Sequence, residues 1–70
     1  MLGNEIKKAR TAKGLSQRKV ATMVGITQQS FQQIEKGKKM PMIETLCKIA
    51  NVLGKTVDEL MWEEIEKWRK

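Results

Sequence analysis

Histidine and tyrosine are absent from this chain, and cysteine appears once, as Cys47. A lone cysteine forms no internal disulfide and, with no histidine beside it, no zinc site. The same gap removes the usual acid–base and nucleophilic pairs. The two serines, Ser16 and Ser30, read as helix-local residues, and no P-loop or dinucleotide fingerprint is present. No enzymatic activity, metal or cofactor is therefore expected. No apolar run is long enough to cross a membrane. Met1-Leu2-Gly3 runs straight into charged residues, unlike a secretory signal, so a cytoplasmic location away from membranes is expected.

What the chain does have is positive charge, unevenly placed. The net charge is +6 over 70 residues. Residues 1–57 hold eleven Lys/Arg against three Asp/Glu, and residues 58–70 hold three against five. A basic body of this kind suits a polyanion, and the tail is excluded from that footprint.

Seventy residues make one small unit with a limited core. No strand-like alternation of useful length appears, so an all-α fold is expected. Gly14, Gly25, Gly37 and Gly54 each follow an apolar-periodic segment, where helices end. The spacing predicts helices over 4–13, 17–24, 28–36, 42–53 and from 57 toward the end. Ser16 and Thr27 are the expected caps of the second and third. Thr56-Val57-Asp58-Glu59 has the pattern of a capping box. In the fourth helix, Ile43, Leu46, Cys47, Ile49, Ala50 and Leu53 are expected to point inward. Cys47 then reads as a small buried hydrophobe.

The most informative stretch is QRKVATMVGITQQSFQQIEKG, residues 17–37. Gly25 ends one helix and Thr27 starts the next, with room only for a tight turn. Advancing about 100° per residue from Gln28 places Phe31 and Ile34 together on one side of the helix. The same count carries Gln29, Gln32, Gln33 and Lys36 round to the other side. The apolar pair faces in and the amides face out. A solvated polar face is the plainer alternative, because Gln is a good helix former on its own account. A Gln amide, however, has the donor and acceptor that match adenine N6 and N7 in the major groove. With the tight turn and the basic body, the pattern points to a helix-turn-helix reader of DNA.

Helix 2 breaks a local rule. Lys19 stands where a capping box wants Glu or Gln, and Arg18 and Lys19 set positive charge against the positive end of the helix. With Gln17 and the free amides of that helix end, they suit a DNA phosphate rather than the helix itself. Lys36, Lys38 and Lys39 surround Gly37 just past the third helix, where a phosphate backbone would run. Arg10 and Glu35 sit at the edges of their apolar faces and suit a structural ion pair. In the tail, Met61, Ile65 and Trp68 share one face at helical spacing. That face suits either a dimer contact or packing onto the chain's own first and fourth helices.

The stretch from Ile6 to Met61 resembles the Cro/C1-type helix-turn-helix family, also called the xenobiotic-response-element family. The residues that carry the resemblance are Arg10, Gly14-Leu15-Ser16-Gln17, Ala21, Gly25-Ile26, Ile34-Glu35-Lys36-Gly37, Pro41, Leu46, Ile49-Ala50, Leu53-Gly54 and Asp58-Glu59-Leu60. Thr27-Gln28-Gln29-Ser30, followed by Gln33, is similar to the recognition helix of lambdoid phage repressors and Cro proteins.

The resemblance implies a five-helix, lambda-repressor-like domain that binds double-stranded DNA as a homodimer. It implies base contacts from Gln28, Gln29 and Gln33, with Thr27 offering its methyl group to a thymine. It also implies a phosphate contact from Gln17 and an internal pair of Arg10 with Glu35. Gln32 joins the base-reading set by helix arithmetic alone.

Two departures stand out. The segment Lys38-Lys39-Met40-Pro41-Met42 is shorter than its phage counterpart and lacks arginine. Met42 stands where a small hydroxyl cap is usual, so Met40 and Met42 become candidates for contact with a partner subunit. The expected division is a DNA-binding domain over residues 1–61 and a helical extension over 62–70. The expected function is a transcriptional regulator, a repressor, on a two-fold operator. The alternative is a module for binding a partner protein, such as the antitoxin of a toxin–antitoxin pair.

Overall fold

The computed structural model describes residues 2–68, with side chains through Lys67. It contains α1 (Leu2–Ala12), α2 (Gln17–Val24), α3 (Gln28–Glu35), α4 (Ile43–Leu53), α5 (Val57–Leu60) and α6 (Trp62–Trp68). The described residues form no strand. The fold is all-helical and lambda-repressor-like, with six helices where the sequence suggested five.

The difference lies at Met61. The expected fifth helix is broken there: Met61 leaves helical geometry at φ −101° and ψ 13°, and its N–H closes the single turn of α5 on the Val57 carbonyl at 2.9 Å. α6 then begins at Trp62. α1 begins earlier than the spacing predicted, at Leu2 rather than Asn4, because Leu2 is buried and belongs to the core.

Caps chosen by local chemistry set most of the remaining boundaries. The Ser16 hydroxyl accepts the Lys19 N–H, and the Thr27 hydroxyl accepts the Ser30 N–H, each at 3.0 Å. Each bond satisfies an amide that the first helical turn leaves open. At α5 the box is complete: Thr56 Oγ1 accepts the Glu59 N–H at 3.0 Å, and Glu59 Oε1 accepts the Thr56 N–H at 2.8 Å. That backbone donor holds the Glu59 carboxyl below its ordinary value. α4 is the exception. Met42 has the extended geometry of a cap, φ −64° and ψ 153°, but offers no side-chain bond.

One core gathers the inner stripes of these helices. Ile6 of α1, Val20 of α2, Phe31 of α3, Ile49 and Leu53 of α4 and Leu60 of α5 are its largest fully buried side chains. α2 packs on both α3 and α4, and α1 crosses against α3, α4 and α5. Phe31 is thus held from behind, and α3 is fixed by the elements under it.

The fourth helix departs from the inward set read from sequence. Leu46, Ile49, Ala50 and Leu53 are buried, but Ile43 and Cys47 are exposed. At helical spacing, Leu46, Ile49 and Leu53 share one narrow arc of α4, with Ala50 at its margin. Ile43 lies just past that margin, and Cys47 lies further round. The core covers the arc and stops at Ala50.

Candidate nucleic-acid interface

The turn between α2 and α3 is built by Gly25. Its φ of 88° and ψ of 28° are left-handed, a conformation that costs other residues through their Cβ. The Gly25 and Ile26 N–H groups both donate to the Ala21 carbonyl, at 2.9 and 3.0 Å. This closes α2 in the manner of a Schellman end and sends the chain directly to the Thr27 cap.

α3 then divides cleanly. Phe31, Ile34 and Glu35 are buried, and Gln28, Gln29, Gln32 and Gln33 are exposed, as is Thr27 at the helix start. Among the described residues, none of the four glutamine side chains makes a hydrogen bond. Their amide donors and acceptors all face solvent.

Glu35 anchors the far end of this helix from inside. Arg10 Nε donates to Glu35 Oε2 at 2.7 Å, and Arg10 Nη2 to Glu35 Oε1 at 3.3 Å. A third donor, Gln17 Nε2, reaches Oε1 at 2.9 Å. Arg10 Nη1 donates to the Leu15 carbonyl at 2.7 Å. The side chains of Arg10 and Glu35 are only 11% and 3% exposed. The guanidinium fork meets the carboxylate with two N–H groups, and this geometry needs Arg rather than Lys. One cluster therefore joins α1, the start of α2 and the end of α3. The amide nitrogen of Gln17, assigned from sequence to a phosphate, is engaged here through one of its two N–H groups.

Positive charge brackets α3 in the chain. Arg18 and Lys19 are exposed at the start of α2, and Lys36, Lys38 and Lys39 are exposed just after α3. The loop stays close to the helix it follows. The N–H groups of Gly37 and Lys38 donate to the Ile34 and Gln33 carbonyls at 3.1 and 3.0 Å. Lys39 Nζ donates to Ser30 Oγ at 3.3 Å, which brings its ammonium alongside α3.

Two residues outside the sequence-derived set position this surface. Gly3 is buried in the first turn of α1, where an added Cβ would run into the Glu35 and Ile34 carbonyl oxygens. α1 thus approaches the end of α3 more closely than a side chain permits. Glu64 of α6 accepts the Leu2 N–H at 2.7 Å and so caps α1 from the far end of the chain. A glycine inside a helical turn was the only sequence signal for the first contact. Nothing in the local sequence marked the second.

Of the residues considered for subunit contact, Met40 and Met42 are exposed. Met61 is half-buried against the core, and Ile65 is also half-buried. The Trp68 side chain lies outside the described residues. A cavity of about 610 Å³ lies between α1 and the α5–α6 segment, lined by Ala9, Leu60 and Trp62 among others. It includes none of the residues assigned to DNA. No helix among the described residues is long and apolar enough to cross a membrane.

A family model for the helix-turn-helix matches residues 6–60. An SPbeta prophage-derived HTH-type transcriptional regulator of Bacillus subtilis (strain 168) is 44% identical over 61 residues, which cover 87% of this chain and 56% of the regulator. The chain therefore spans little more than half of that relative's length. The restriction-modification controller protein C.AhdI of Aeromonas hydrophila superposes with a TM-score of 0.80 at 30% identity, over 84% of this chain and 89% of the controller. A chain of the SinR–SinI protein complex superposes with a TM-score of 0.85 at 32% identity, over 96% of this chain and 66% of that one. With its glycine turn, its outward amides and a match that runs from Ile6 to Leu60, the chain belongs to the Cro/C1-type helix-turn-helix family.

Proposed function

We propose that the chain is a DNA-binding transcriptional regulator, a repressor that occupies a two-fold operator and reads each half-site with α3 in the major groove. One observation carries the reading: four exposed, unpaired amides stand on α3 above a buried Phe31 and Ile34. Gln28, Gln29, Gln32 and Gln33 read base edges, with A·T-containing positions beneath Gln28, and Thr27 packs its methyl on a thymine. Arg18, Lys19, Lys36, Lys38 and Lys39 contact phosphates and set register and affinity. Gln17 donates its second N–H to a phosphate while the first stays on Glu35. Arg10 and Glu35 hold the reader in shape without touching DNA. Residues 1–61 are the reading unit, and 62–70 are an extension that steadies α1 through Glu64.

Two copies bind together, with half-sites about 34 Å apart. A second reading, a module that docks a partner protein, draws support from the likeness to a chain of the SinR–SinI complex.

Selection of bound sequences from a random duplex library, repeated at several salt concentrations, separates the two. The regulator enriches a palindrome and loses affinity steeply with salt. Absence of any enriched sequence at every salt concentration rejects the operator reading and leaves the protein-docking module.

A further inference from the structure

Of the cations that bracket α3, one has its head group held. Among the described residues, the side chains of Arg18, Lys19, Lys36 and Lys38 make no hydrogen bond or ion pair. Lys39 Nζ, by contrast, donates to Ser30 Oγ at 3.3 Å. Ser30 is the third residue of α3, so the bond carries a loop ammonium back to the first turn of the helix. The loop is tied down on both sides of Lys39. The Lys38 N–H donates to the Gln33 carbonyl at 3.0 Å, and Pro41 is buried.

The chemistry of the partner decides what the bond can do. Lys8 meets the Glu5 carboxylate at 3.5 Å and Arg10 meets that of Glu35 at 2.7 Å, so an opposite charge offsets each of those cations. Ser30 is neutral, and the first turn of α3 holds no acidic residue. Its hydroxyl therefore places the Lys39 ammonium without neutralising it. A free lysine gives up rotamer freedom when it meets an anion, and a held one has given up part of it already.

Position names the anion. At about 100° per residue, Ser30 falls next to Gln33 at the margin between the exposed and buried faces of α3, and it is half-buried. Lys39 thus lies along the flank of the reading helix. When such a helix occupies the major groove, its flank faces the sugar–phosphate wall and not the base edges.

We propose that Ser30 is a positioning residue for DNA: its hydroxyl holds the Lys39 ammonium on the flank of α3, ready for a duplex phosphate. This role rests on the DNA-binding reading, and only in placing α3 in a groove. Phosphate contacts carry no sequence information, so the role is measurable on any duplex the chain binds.

The test measures affinity of the whole chain, over a salt series, for a duplex of random sequence and for any selected operator. Ser30→Ala keeps the backbone N–H that Thr27 caps and introduces the best helix former, so the variant folds with an unchanged helical circular dichroism. It lowers affinity on both duplexes several-fold, with a ceiling of about tenfold set by the rotamer freedom of one lysine. The salt slope stays as it was, because no charge is removed. Lys39→Ala lowers affinity and reduces that slope by about 1. Adding Ser30→Ala to Lys39→Ala costs nothing more, and Ser30→Thr, which keeps the hydroxyl, retains wild-type affinity. The proposal is overturned by a Ser30→Ala variant that binds like the wild type. It is overturned equally by a loss of the same size with and without Lys39, since the hydroxyl would then act by itself. A loss in Ser30→Thr as large as in Ser30→Ala has the same force. Coupling of the two positions on random duplex, with no sequence enriched by selection, keeps the positioning role and rejects the operator reader. A chain that binds neither duplex overturns both.

Discussion

α3 and α4 bury similar stripes and expose opposite kinds of edge. Outside Phe31 and Ile34, α3 carries four amides; outside Leu46 and Ile49, α4 carries Ile43 and Cys47, with Met42 just before it. The two ends are treated differently as well. Thr27 caps α3 with a bond of 3.0 Å, whereas Met42 caps α4 with none. An amide in water already has its hydrogen bonds and loses little by waiting for a base. An apolar side chain in water forgoes about 25 cal/mol for each Å² it fails to bury. The first edge is stable while unoccupied, and the second gains from being covered. The comparison separates a surface suited to a wet, charged duplex from one suited to a dry contact.

The comparison breaks most severely at its support. Arg10→Ala leaves the Glu35 carboxylate buried with Gln17 as its remaining side-chain donor. Breaking a buried pair in this way costs about 3–5 kcal/mol. That is a large share of what a domain of this size has to spare, and urea denaturation will show a midpoint far below that of the wild type. Arg10→Met combined with Glu35→Leu recovers much of the loss, because no orphan charge remains. Recovery of stability without recovery of DNA binding would show that the cluster aims α3 as well as holding it.

The amide edge is sharpened by a smaller change. Gln28→Ala lowers affinity by about 1–3 kcal/mol at one base pair and relaxes preference there. Lys38→Ala weakens every sequence alike and reduces the salt slope by about 1. Competition binding on the selected site and on single-base variants distinguishes the two. An equal loss on all sequences for Gln28→Ala removes it from the base-reading set.

The smallest effect falls on the apolar edge. Met42→Ser supplies the missing cap in a backbone already shaped for it and stabilises the monomer by about 1 kcal/mol. The thermal midpoint of dilute protein rises by about 4–8 °C.

Local chemistry made much of the fold legible. Ser16, Thr27 and Thr56 are followed by the amides they cap, and Gly25 and Gly54 adopt the left-handed ends their positions suggested. The bounds of α2 were readable for that reason. The outward turn of the four glutamines followed from period alone, since Phe31 and Ile34 leave the rest of α3 no other choice.

What failed was tertiary. Ile43 and Cys47 looked inward because they are apolar and helical. The apolar arc of α4 is wider than the core that covers it, and residue type does not report where coverage ends. Gly3 matters through the carbonyls of Ile34 and Glu35, which lie two helices further along the chain. The break at Met61 serves the packing of α6, which no short window contains.

The bond between Leu2 and Glu64 has a practical consequence. It sets the first turn of α1 beside α6, so the outermost helices of the chain adjoin. A short flexible peptide can splice these neighbourhoods together, and fresh termini can be opened in the Lys13–Leu15 turn. Such a circularly permuted chain keeps Gln28 through Gln33 uninterrupted and frees the old ends from carrying purification tags.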